Sequence, residues 1–203
     1  MRPPRWVWYV AGLLGLLLVA AVVQVVIAPG QPPSPTATPG MTISPTSGPG
    51  VGDTAGGGQG QDVDGIQCQS HEQVAYHVHA HLFIILDGKF QTVSALIGIP
   101  LDPTGQPRCF YWLHTHDQSG IIHIESPDQR LYTLGQFFDV WGQPLSRNGV
   151  ATYPVPNGDL TAYVDGQPYT GDPREIVLKA HTQVVLELGA TSPPPEFVFP
   201  AGL

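Results

Sequence analysis

Charge is scarce in this chain, and basic charge is scarcest. Only 12% of the 203 residues are Asp, Glu, Lys or Arg, and 8 basic side chains stand against 16 acidic ones, a formal net charge of −8 with histidine neutral. A phosphate-binding surface needs clustered Lys and Arg, so this balance argues against a nucleic-acid partner and favours cations. Sulfur is nearly absent as well: there are 2 Cys and 2 Met. Met1 and Met41 fall outside the part that reads as folded, and Cys68 and Cys109 in an exported domain most simply pair as one disulfide. Closing a loop of that length is worth on the order of 4 kcal/mol in the chain-entropy model. A Cu(I) carrier built on thiolate or thioether ligands is therefore disfavoured. The chain also lacks a Gly-x-Ser-x-Gly elbow, a phosphate loop and a Cys-x-x-Cys pair.

What is present divides the chain into three. Trp6 to Ala28 carries no charged residue, and Arg2 and Arg5 precede it. As a helix this run spans roughly 34 Å, enough to cross a hydrocarbon core of about 30 Å. Residues 1–28 therefore read as an uncleaved single-pass anchor, with the arginines cytoplasmic and the remainder extracytoplasmic. A cleaved signal peptide is the alternative, but the apolar run is long for one and ends in Ala28-Pro29. Residues 29–64 read as a disordered linker, since half of the stretch from Pro29 to Gly60 is proline or glycine. Residues 65–203 are long enough to bury a core of their own.

This last part alternates like a β domain. Val74 to Leu86, the turn Asp87-Gly88 and a return through Lys89 to Ile97 form one hairpin pattern. Phe110 to His116 and Ile121 to Glu125 flank Asp117-Gln118-Ser119-Gly120 as a second. Leu160 to Asp165 and Gln167 to Tyr169 flank Gly166 as a third. Glu175 to Leu178 and Gln183 to Leu188 suggest a last pair around His181, which would lie exposed at the tip. One helix is expected after Thr133: Thr133 and Gln136 make a capping box, and Leu134, Phe137, Phe138 and Trp141 form one apolar stripe that ends at Gly142 and Pro144. The fold class is mostly β, a sandwich or small barrel with one short helix, preceded by the transmembrane helix and the linker.

Histidine is the unusual abundance. Of 8 histidines, all but His181 lie between His71 and His123. His77, His79 and His81 alternate along one strand and so share a face, opposite Val78, Ala80, Leu82 and Ile84. If a four-residue loop pairs His116 with Ile121, His114 lies opposite His123 and Trp112 opposite Glu125, so that His114, His116, His123 and Glu125 project from one face of one hairpin. Imidazole and carboxylate donors suit Zn²⁺ or Cu²⁺, with Fe²⁺ and Mn²⁺ also compatible. Asp117 is a candidate acceptor for an imidazole N–H. The Cys68–Cys109 bridge ties the approaches to the two clusters together, so one shared site and two separate sites both stay open.

Leu113 to Gly120 resembles the first metal motif of PHP-type phosphoesterases, but their large α/β barrel does not fit a short β-rich domain. His114-x-His116 followed by Glu125 is similar to the metal motif of cupins. That resemblance implies a β-barrel holding Fe, Mn, Zn or Cu, although Glu125 is displaced from the cupin spacing. The stretches Trp112 to Pro127 (WLHTHDQSGIIHIESP) and Tyr132 to Leu145 (YTLGQFFDVWGQPL) resemble a family of membrane-anchored, histidine-rich microbial surface proteins, over roughly residues 75 to 190. This resemblance implies an exported domain and no particular reaction. Three functions are compatible with these residues: a tethered divalent-metal-binding module, a metalloenzyme with an open His/Glu site, and a surface interaction domain in which the histidines are hydrogen-bonded scaffold.

Overall fold

A computed structural model describes residues 57–154, 160–190 and 192–203. The expected anchor and most of the linker lie outside these residues. Among the described residues no helix is long and apolar enough to cross a membrane.

The alternating segments fold as strands, and the domain is mostly β with one short helix. The strands are β1 (Cys68–Gln69), β2 (Tyr76–Leu86), β3 (Lys89–Gln91), β4 (Phe110–Tyr111), β5 (Leu113–His114), β6 (Ile121–Ser126), β7 (Tyr132–Thr133), β8 (Leu145–Ser146), β9 (Gly149–Val150), β10 (Tyr153–Pro154), β11 (Leu160–Val164), β12 (Gln167–Tyr169), β13 (Val177–Leu178) and β14 (Gln183–Leu188). The principal sheet has 7 strands in the order β12-β11-β14-β2-β6-β5, with β3 paired on β2. Asp87 and Gly88 turn β2 into β3 with φ of 48° and 74°, the left-handed pair that Asp-Gly tolerates best.

The sheet has an apolar inner face and a mixed outer face, as the period of two in β2 requires. Ala80, Leu82 and Ile84 join Ile122, Ile124, Val184, Leu186 and Leu188 in the inner core. The helix Leu134–Trp141 packs into the same core through Leu134, Phe137, Phe138 and Trp141, all fully buried. Its capping box forms as expected: Thr133 Oγ1 accepts from the Gln136 amide, and Gln136 Oε1 accepts from the Thr133 amide. The layering is consistent with a sandwich.

Two local pairings differ from the sequence expectation. Residues 175–178 do not form a hairpin with β14. Instead β13 pairs with β7, and β14 runs parallel to β2, from Gln183↔His81 to Leu188↔Leu86, and antiparallel to β11. This register places Val184, Leu186 and Leu188 on the inner face, burying more apolar surface than an isolated hairpin would. Packing also begins earlier than residue 65. The Gly58 amide donates to the Val140 carbonyl at 2.9 Å, and the Tyr111 hydroxyl donates to the Gln61 carbonyl.

The Cys68–Cys109 disulfide forms, with the two Cα atoms 5.4 Å apart. It joins β1 to β4, where Cys68 faces Tyr111.

Candidate metal centre

The β5–β6 hairpin adopts the register read from its loop length. His114 faces His123, Leu113 faces Ile124, and the Glu125 amide donates to the Trp112 carbonyl at 2.8 Å. Asp117 Oδ1 accepts from the Ser119 amide at 2.9 Å, so it closes the turn rather than receiving an imidazole proton. Gly120, at φ 84°, lets the turn lie against β2: its carbonyl accepts from the Leu82 amide at 2.9 Å, and a Cβ there would come within 2.5 Å of the Leu82 carbonyl oxygen. Thr115 is fully buried, with its hydroxyl donating to the Ser94 carbonyl at 2.9 Å and accepting from the Ile97 amide at 3.1 Å. Pinning Thr115 inward directs His114 and His116, its neighbours, to the other side.

Strand β2 completes the cluster. It pairs with β6 so that His79 faces His123 and His77 faces Glu125. The strand order β2-β6-β5 therefore sets two histidine-bearing strands on either side of His123 and Glu125. His77 Nε2 and His79 Nε2 are 3.1 Å apart, and His114 Nε2 and His116 Nε2 are 3.3 Å apart. Glu125 Oε1 lies 3.1 Å from His77 Nε2, 3.2 Å from His123 Nδ1 and 3.9 Å from His114 Nε2. Its other oxygen, Oε2, is buried with no hydrogen-bond partner. Glu72 also approaches the β5 pair, with Oε1 3.4 Å from His116 Nε2 and 3.9 Å from His114 Nε2.

The electrostatics keep the donors ready. Burial pushes the His114 ring down to about 4, against the pull of Glu125 and of its bond to Tyr111. Burial likewise takes His79 to about 4, helped by the neighbouring His123 and His77. Both rings are neutral at pH 7 and can offer a lone pair. His114 Nδ1 donates to the Tyr111 carbonyl at 2.8 Å, which fixes the tautomer and leaves Nε2 as the free donor atom toward the cluster. Burial works to raise the Glu125 carboxyl, but the His123 bond and the nearby His114 and His77 hold it below the usual carboxylate range.

The donor atoms of His114, His116, His123 and Glu125 all lie within 4.8 Å of one another, as do those of His77, His79 and His123. These groups are close enough to hold a metal ion. Two nitrogens at about 2.05 Å from a tetrahedral ion stand about 3.3 Å apart, and both Nε2 pairs are near that spacing. A cavity of about 240 Å³ opens beside His77, His79 and His181.

No family model, curated protein or solved structure matches the chain.

The structure gathers His77, His79, His114, His116, His123 and Glu125. It does not bring His81 to them: that ring stacks on Phe197 with centroids 3.6 Å apart, and its Nε2 donates to the Ser119 carbonyl at 2.9 Å. His181 is exposed, as expected, but it sits beside the Phe199 ring with Nε2 2.7 Å from the main-chain oxygen of Leu203. Glu72 was not legible as a neighbour, because it lies in the irregular segment between β1 and β2. The signal that could have found it is the disulfide, which carries the chain four residues before it to β4, just ahead of His114 and His116.

Proposed function

We propose that the chain is a membrane-tethered, extracytoplasmic protein that binds a divalent transition metal, Cu²⁺ or Zn²⁺. The observation that carries this reading is the convergence of His114, His116, His123 and Glu125 within 4.8 Å. The sulfur-free donor set, the locked His114 tautomer and the unpartnered Glu125 oxygen support it. The tether rests on the uncharged run from Trp6 to Ala28 behind Arg2 and Arg5.

Elemental analysis of the full chain purified from membranes in detergent tests the reading. Stoichiometric metal, reduced in amount or more weakly held in His114→Ala with the circular dichroism unchanged, is the expected result. Protein that stays metal-free after incubation with Zn²⁺ and Cu²⁺ leaves only the scaffold function for these histidines. Fractionation tests the tether: the full chain should sediment with membranes, and a chain lacking residues 1–28 should not.

The side chains of His77 and His116 are 39% and 42% exposed, which favours a second reading, a metalloenzyme with a position open to solvent. Azide added to Cu²⁺-loaded protein would then shift the visible absorption, whereas a coordinatively closed ion would not respond.

A further inference from the structure

The donors outnumber what one ion can use. Six gathered side chains and Glu72 offer seven potential ligands, while a borderline first-row ion in a protein commonly takes four. They also fall into two groups, each no wider than 4.8 Å, that share only His123. Each group contains one pair of alternate histidines at chelating distance: His77 with His79 on β2, and His114 with His116 on β5 and its continuation.

We infer that the centre is built for two ions bridged by the Glu125 carboxylate. This deepens the proposed function and rests on it. His77 and His79 hold one ion, His114 and His116 the other, with Glu72 completing the second from the disulfide-tied segment. Glu125 reaches one ring of each pair, with Oε1 3.1 Å from His77 Nε2 and 3.9 Å from His114 Nε2. Its Oε1 is engaged by His123 Nδ1 at 3.2 Å, while its buried Oε2 has no protein partner and is free to take an ion. Leaving a buried carboxylate oxygen unpaired is costly, and a cation beside it removes that cost. The His123 ring lies between the pairs, with centroids 4.6 Å from His79 and 4.4 Å from His116. Carboxylate-bridged ions in two-metal sites stand about 3.5–4 Å apart, a span one carboxylate can bridge.

The test is a Zn²⁺ titration of the full chain in detergent, with bound metal counted by elemental analysis after desalting. Two ions per chain are expected. His77→Gln/His79→Gln and His114→Gln/His116→Gln should each retain one, and His81→Phe, at the ring held away from the cluster, should retain two. If a double variant fails to fold by circular dichroism, His77→Gln and His116→Gln, at the most exposed ring of each pair, replace it and should each weaken one of the two binding steps. With two equivalents of Cu²⁺, the integrated electron paramagnetic resonance signal should fall well below the copper content, because bridged ions couple. No bound ion overturns the proposed function itself. One ion, abolished by either double variant, overturns the two-ion centre and leaves a single shared site. Loss of an ion in His81→Phe overturns the ligand assignment, and an undiminished Cu²⁺ signal overturns the bridge.

Discussion

His79 and His81 are two residues apart on the outer face of β2, both buried, and burial takes both rings down to about 4. Their surroundings have nothing else in common. Across from His79 stands His123, and two residues away Glu125 faces His77. Across from His81 stands Ile121, and Phe197 lies flat on the ring. His81 gives its Nε2 proton to the Ser119 carbonyl, which leaves Nδ1 as a buried nitrogen without a partner. His79 points Nε2 at His77 Nε2, 3.1 Å away. Burial and basicity therefore do not separate a histidine of the cluster from a scaffold histidine. The residues on the neighbouring strands do.

The largest effect that sharpens this contrast is acid sensitivity. In metal-free protein the rings of His79, His81 and His114 have folded values lowered to about 4, against about 6.5 when unfolded. The unfolded chain takes up protons first, so stability is full above pH 6.5 and falls as pH drops toward 4. For the fully buried His81 and His114 the loss is on the order of 3 kcal/mol each, readable in urea denaturation at pH 7 and pH 4.5. His81→Phe should remove its share of this loss without touching metal binding. Next in size, His114→Ala should raise the metal Kd by more than about 100-fold, since even outer partners of metal ligands are worth roughly 10–100-fold. Competition against a chromogenic chelator measures it. Glu72→Gln, which removes a charge at the half-exposed rim, should weaken binding by about 10-fold or less in the same assay. The smallest effect belongs to the other histidine: His81→Phe should leave the Kd within about 2-fold of the parent, as expected for a ring that stacks on Phe197 and reaches no metal. A large loss of affinity in His81→Phe would erase the contrast between the two positions.

The features legible from sequence are those set by short-range rules. A four-residue loop fixes which residues of β5 and β6 oppose each other, so the His114–His123 pairing follows from counting. The capping box at Thr133 and the aromatic stripe from Leu134 to Trp141 define the helix by themselves. Period-two alternation places His77, His79 and His81 on one face, but it carries no information on what covers that face. The segment bearing Phe197 comes more than a hundred residues later, and its two bonds to Gln183 are what hold it there. The parallel pairing of β14 with β2 leaves no local trace, because parallel strands are not joined by a tight turn. The adjacent segment 175–178 therefore looked like its partner. Glu72 belongs to no periodic element at all. Only the bridge from Cys68, with the pairing of β1 and β4, decides where it lies.

That parallel pairing has a consequence for biogenesis. On the edge away from β3 and β6, β2 gains its neighbour along His81 to Leu86 only from Gln183 to Leu188, roughly a hundred residues downstream. An incomplete chain ending before Gln183 would carry an open strand edge beside a row of imidazoles, a surface suited to annealing with another unfinished copy. Completion of the chain through β14 is therefore the step at which this fold is most exposed to mispairing.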